Sequence, residues 1–163
     1  MFEKTGNSKE DELFLTQGQI EIDAAIRKEK RKEEQEERNL KLKKMLGERE
    51  MNDLDFFQEF SQWQKIERDI AGEIKEPNEY GEEQVRLLIR EADIFAEPGL
   101  KYNKPDLINQ ALDRLEGTEE AGYYDGALYD AQQKADAGII DNKTVEEIEL
   151  KISELRKKLE ESS

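Results

Sequence analysis

Carboxylates are the most abundant side chains in this sequence that could do acid-base chemistry, with 41 Asp and Glu among 163 residues. Two of them can act as general acid and general base when their environments push their pKa values apart. No local context here predicts two carboxylates in one dry pocket. Histidine and cysteine are absent, which removes the usual proton carrier, thiol nucleophiles and the common zinc ligands. The sequence therefore predicts a protein that is not an enzyme and holds no metal and no cofactor.

Two glycine-containing segments come near known ligand-binding patterns and depart from them. Residues 136–147 carry an acid at each end, but a calcium loop needs oxygen ligands at its third and fifth positions, where Gly138 and Ile140 stand. Gly122 and Gly126 are not followed by Gly-Lys-Ser/Thr, so they do not form a phosphate loop. Neither a calcium site nor a nucleotide site is predicted.

The composition limits both the core and the partners. Apolar residues make up 35% of the chain and charged residues 41%, which predicts a small core with part of the chain outside it. A net charge of -15 disfavours direct binding to nucleic acid. No apolar run reaches membrane-spanning length, and the first residues do not resemble a signal peptide. We therefore expect no membrane contact and a location in the cytoplasm or inside an assembled particle.

The first third of the chain is predicted to be a disordered lead over residues 1–15 and a charged helical arm over residues 16–50. Thr16 and Gln19 have the spacing of a capping box. Residues 27–39 hold no apolar side chain, and residues 27–44 hold nine basic and five acidic ones, a local charge of +4. The arm is interpreted either as a solvated tether or as a segment that lies along an acidic partner or a neighbouring copy.

An aromatic cluster follows the arm. Its large side chains recur at three- and four-residue steps, which predicts an amphipathic helix over residues 54–74. Burying one large aromatic side chain contributes about 2–3 kcal/mol, so the cluster could hold a bundle together or anchor a partner. The helix is therefore either the first core helix or an exposed docking helix. Its candidate protein-binding residues are Phe56, Phe57, Phe60 and Trp63.

Shorter amphipathic helices are predicted over the remainder. The prolines place a turn at residues 97–99 between two of them. The apolar spacing and capping residues predict helices over residues 82–96, 106–116 and 119–137, and a last helix that begins at Thr144 with a capping box to Glu147.

The last helix carries an apolar seam in heptad spacing. The seam is interpreted either as the closing face of a local bundle or as a short intermolecular coiled coil. Its candidate binding residues are Ile148, Ile152, Leu155 and Leu159. The predicted fold is all-α: a long charged N-terminal helical arm, then a small helical bundle over residues 53–160 that ends in this heptad helix.

Two resemblances follow from these patterns. Residues 137–140 with the charged helix after them are similar to short C-terminal helical modules of bacterial proteins, a likeness that carries no function. The acidity, the charged helices and the lack of cysteine resemble internal scaffolding and head-associated proteins of tailed bacteriophages. This resemblance favours a non-enzymatic interaction or assembly protein, scaffold-like or associated with a larger complex, whose partner is another protein or a second copy.

A different function is also open on the acidity alone. An acidic inhibitor could mimic nucleic acid and block a nucleic-acid-binding enzyme by presenting rows of carboxylates. The residues proposed for such rows are Glu76, Glu79, Glu82, Glu83, Asp113, Glu116, Glu119 and Glu120.

Overall fold

The computed structural model describes residues 8–118 and 124–162, and the fold is all-α, as predicted. Two strands of two residues each, β1 (Gly117–Thr118) and β2 (Tyr124–Asp125), pair in antiparallel fashion. In the described part of the chain the helices are α1 (Ser8–Glu48), α2 (Leu54–Ala71), α3 (Pro77–Lys101), α4 (Pro105–Glu116), α5 (Ala127–Asp136) and α6 (Asn142–Ser162).

The chain divides between Arg38 and Asn39 into two units. In the first unit, none of the side chains described over residues 16–38 is buried. Helix α1 begins at Ser8, ahead of the predicted start at Thr16, and residues 1–7 of the predicted lead lie outside the described residues.

The second unit contains the core, and it begins earlier in the chain than the predicted bundle start at residue 53. Leu42 and Leu46 at the end of α1 are buried with side chains from α2 to α6. Helix α3 packs against α2, α4, α5 and α6, so it is the central element of the bundle. The four-residue spacing of the two leucines places them on one face of α1, which is why both reach the core.

The predicted turn at residues 97–99 is wrong, because α3 continues through it to Lys101. Pro98 and Gly99 are both buried. A Cβ atom at Gly99 would lie 2.9 Å from Cγ1 and 3.1 Å from the amide nitrogen of Ile108, so the glycine allows α4 to approach α3 closely. The packing of this close approach outweighs the backbone bond that a proline removes near a helix end.

The predicted helix over residues 119–137 is confirmed over Ala127–Asp136 and is wrong at residues 124 and 125. Residues 119–123 lie outside the described residues, Tyr124 and Asp125 belong to β2, and α5 begins at Ala127. A Cβ atom at Gly126 would overlap the backbone at Gly117, so only glycine permits this contact between the strand pair and the start of α5.

The predicted cap at Thr144 is also wrong. Helix α6 begins at Asn142, and the Asp141 carboxylate accepts a hydrogen bond from the Lys143 amide at 2.9 Å. Thr144 is buried inside the helix, where its hydroxyl accepts a bond of 3.4 Å from Nη2 of Arg86 in α3. An earlier acid therefore caps the helix, and the threonine side chain serves a contact between helices instead.

Candidate interaction surfaces

Three of the four aromatic candidates of α2 lie in the core. The Phe60 ring stacks on Phe56 and on Trp63, with centroids 5.5 and 5.8 Å away, and Phe95 of α3 meets Phe56 and Phe60 edge-on at 5.9 and 5.4 Å. The Trp63 indole donates a 2.7 Å hydrogen bond to Oδ1 of Asn39. Trp63 is only 2% exposed. Helix α2 is thus the first complete core helix, and these three side chains are not available to a partner.

Phe57 is the exception among the four aromatic candidates. It is 63% exposed and lies one turn from Leu54, which is also exposed. Both residues sit on the side of α2 that turns away from the core. Phe57 is therefore the candidate of this group that a partner could reach.

The apolar seam of α6 closes the bundle. Ile148, Ile152 and Leu155 are buried, and Leu159 is partly buried against the same core. Helix α6 packs on α4 and α5 along this seam. The four candidates therefore already have apolar neighbours within their own chain.

A network of charged side chains that the sequence analysis did not identify lies between the helices. Arg90 of α3 donates a 3.1 Å bond to the buried Glu67 of α2 and pairs also with Glu83. Beside it, Arg114 of α4 donates a 3.1 Å bond to Glu91, and its guanidinium lies 4.1 Å from the centroid of a core aromatic ring. Buried charges with partners of this kind position helices relative to one another, which is a structural role.

A groove of about 390 Å³ runs between α1, α3, α4 and α6 and contains a second set of charges. Nζ of Lys151 lies 3.1 Å from Oδ1 of Asp93, and Lys43 pairs with Glu97. Burial raises the pKa of the Asp93 carboxyl, and the nearby Lys151 partly offsets that effect. Lys43 and Lys151 neutralise two of the three carboxylates in the lining, and Glu154 is the third, so the groove does not favour an anionic ligand.

The raised pKa of Asp93 predicts a pH dependence of stability. The folded state keeps the Asp93 proton to higher pH than the unfolded chain does, so this carboxyl lowers the free energy of unfolding as pH rises above its ordinary value of 3.8. In Asp93→Asn that contribution is absent, and we expect the free energy of unfolding to rise relative to wild type as pH increases from about 4. Urea unfolding at several pH values measures it.

The other charges near Asp93 do not account for this slope. Lys151 and Lys43 stabilise the ionised carboxylate and Glu97 opposes it, so their effects are already part of the raised pKa. The ion pair with Lys151 forms only with the ionised carboxylate, so it belongs to the same titration and is lost together with that titration in the asparagine variant. Equal slopes for wild type and variant would contradict the prediction.

The carboxylates named for nucleic-acid mimicry are partly engaged inside the chain. Glu76 caps α3 and accepts a 2.6 Å bond from the Glu79 amide. Glu83 pairs with Arg90, and Glu116 accepts two bonds, of 2.6 and 2.7 Å, from one nitrogen of an arginine in α6. Glu119 and Glu120 lie outside the described residues. These engaged carboxylates stabilise the bundle, which weakens the support for a row of acids directed at an enzyme.

The first unit holds exposed apolar side chains that the sequence analysis did not select. Ile20, Ile22 and Ile26 are 58%, 55% and 59% exposed. Ile22 and Ile26 are one turn apart and share a face of α1. Their pattern in the sequence, isolated apolar residues ahead of a charged run, resembles the start of an ordinary helix and does not reveal that they stay exposed.

Acidic clusters and long apolar helices are the features that would indicate a metal site or a membrane span. Among the side chains described over residues 16–117 and 126–161, no three acidic ones come together as metal ligands. No helix in the same ranges combines the length and the apolar character that crossing a bilayer requires. Comparison of the chain with protein families, curated proteins and solved structures gives no match.

Proposed function

We propose that this chain is a non-enzymatic interaction or assembly protein. Its binding element is the part of the predicted arm that lies in the first unit, residues 16–38, which is called the arm from here on. The helical bundle is the other folded part of the chain. The observation that carries the proposal is the exposure of Ile20, Ile22 and Ile26, each by more than half, on the part of α1 over residues 16–38, where no described side chain is buried. Exposed apolar residues on a helix are the usual contacts of a helix that binds a partner surface.

The energetics favour the arm over the bundle as the binding element. Burying one isoleucine side chain stabilises a complex by about 1.5–3 kcal/mol, and the arm offers three. In the bundle, Phe56, Phe60 and Trp63 of α2 and the seam of α6 are already buried, which leaves Leu54 and Phe57 of α2 and Leu150 of α6 exposed. Binding through the arm therefore requires no opening of the core.

The proposal also includes a role, a partner and a location. We expect a scaffold-like role of the kind associated with bacteriophage particles, a protein partner or a second copy, and a place in the cytoplasm or inside an assembled particle. Acidic inhibition receives less support, because several of its carboxylates pair within the chain.

The proposal is tested with the full-length tagged chain in an extract of its source cells, separated by size. We expect wild type to elute in a species larger than the monomer. The double variant Ile22→Asp and Ile26→Asp should elute as monomer, because a partner cannot bury two new carboxylates without cost. The matched control changes two exposed residues of the bundle, Tyr129→Asp and Leu150→Asp, and should elute like wild type. Elution of all three at the monomer position would refute the proposal.

A further inference from the structure

The charges of the arm are sorted into two adjacent blocks of opposite sign. The basic block, residues 27–32, has five cations and one anion, a net charge of +4. The acidic block, residues 33–37, has four anions and one glutamine, a net charge of -4. Both blocks lie in α1 within the first unit, and none of their side chains is buried.

Two copies of this arm can place both blocks of each copy beside blocks of opposite charge only when the two helices run antiparallel. In a parallel pair in register, each block lies beside its own copy, and like charges repel. In an antiparallel pair centred on Lys32, positions equally far from the centre lie level with each other. Arg27 is then level with Glu37, and Arg31 with Glu33. Residue 28 is level with residue 36, and residue 30 with residue 34. On each side of the two-fold axis there are therefore four levels at which a cation of one arm lies beside an anion of the other, as in the self-complementary interface of a symmetric dimer.

We infer that the arm binds the arm of a second copy of this chain in antiparallel orientation, the basic block of each along the acidic block of the other. The inference rests on the proposed function, since it names the partner of the same arm. Exposed ion pairs are individually weak, about 0–1 kcal/mol. Lys32 lies level with its own copy, and at 3.6 residues per turn only the levels that face the partner bring opposite charges into contact. These levels determine orientation and partner choice more than affinity, and the pairing weakens as salt rises.

Charge reversal tests the pairing by sedimentation of purified full-length protein at low salt. One variant changes the four glutamates of the acidic block to lysine, and the other changes the five cations of the basic block to glutamate. Wild type should sediment as a dimer, each variant alone as a monomer, and their equimolar mixture as a dimer. The matched control reverses four exposed glutamates of the second unit, Glu79, Glu82, Glu146 and Glu149, to lysine and should remain dimeric. Monomeric wild type, or dimeric variants, would overturn the inference.

Orientation is measured with one spin label per chain, which is simple because the sequence has no cysteine. The label is placed by Glu21→Cys, eleven residues before Lys32. At 1.5 Å per residue, an antiparallel pair separates the two labels by about 35 Å, whereas a parallel pair holds them about 10 Å apart. A short distance would refute the antiparallel pair.

The two proposals fail separately. A purified chain that is monomeric, but that still joins a larger species in the extract through Ile22 and Ile26, would refute arm-to-arm pairing and leave the proposed function intact. If the arm variants behave like wild type in both the elution and the sedimentation experiment, both proposals are refuted.

Discussion

Leu155→Asp is expected to unfold the bundle. The side chain is 2% exposed and belongs to the core. Replacing it removes about 2–5 kcal/mol of leucine packing and leaves a carboxylate among apolar neighbours, which costs several kcal/mol more. The total is comparable with the whole stability of a small domain, about 5–15 kcal/mol. Urea unfolding measures the loss, followed by far-ultraviolet circular dichroism and by the fluorescence of Trp63, the single tryptophan.

The same helix supplies a matched control. Leu150 is 63% exposed on α6, so Leu150→Asp introduces the same charge with no loss of packing, and the free energy of unfolding should change by less than about 0.5 kcal/mol. Leu155→Ala serves where the aspartate variant does not fold, with an expected loss of about 2–5 kcal/mol.

An intermolecular seam would give a different result. Leu155→Asp would then leave a folded monomer, and the unfolding midpoint of wild type would rise with protein concentration. Because the seam packs on α4 and α5 of its own chain, we expect the Trp63 fluorescence midpoint to be independent of concentration in the variant whose acidic block carries lysine in place of glutamate, since arm-to-arm pairing is absent there. A midpoint of this variant that rises with concentration would contradict the core assignment.

Periodicity in the sequence predicts the existence of the helices but not the surface on which each apolar face lies. The spacing of Phe56, Phe60 and Trp63 suits both a core helix and a docking helix, and the seam of α6 likewise suits either a bundle or a coiled coil. The residues on neighbouring helices decide whether such a face is core or surface, and for the aromatic side chains of α2 that neighbour is Phe95 of α3. Such neighbours are distant in sequence and leave no local pattern.

Local turn and cap signals were misleading where packing is strong. A helix cap contributes about 1 kcal/mol, less than the burial of one large side chain. At Pro98 and Gly99 the contact with α4 therefore prevails over a turn signal. At the start of α6 a second acceptor, Asp141, takes the cap and leaves Thr144 inside. Short-range patterns are least reliable where two helices approach closely.

The sequence does not indicate which charged side chains are buried, for a related reason. Glu67 follows Trp63 by four residues on the inward face of α2, which places a carboxylate in an otherwise aromatic stripe. In a chain with 41 acids this position does not stand out. Its partner Arg90 lies on another helix, and only the fold brings the two together.

Arg90→Met is expected to lower the free energy of unfolding by about 3 kcal/mol, because it removes the guanidinium that faces a fully buried carboxylate. Methionine keeps most of the apolar stem, so lost packing contributes little. The matched control is Arg86→Met, one turn earlier on α3, whose partner Glu147 is partly exposed and whose pair should contribute less than about 1 kcal/mol. Equal losses in the two variants would contradict a special role for the buried pair.

A double-mutant cycle separates the ion pair from the burial of the acid. Glu67→Gln in the Arg90→Met background removes the buried negative charge, so the double variant should recover part of the loss, with a coupling of about 1–3 kcal/mol. Raising the salt concentration should weaken the Arg86 pair at the surface and leave the Arg90 pair nearly unchanged, since salt screens buried charges far less. Additive losses in the cycle would mean that Glu67 is held by its other neighbours and that Arg90 stabilises α3 through Glu83 alone.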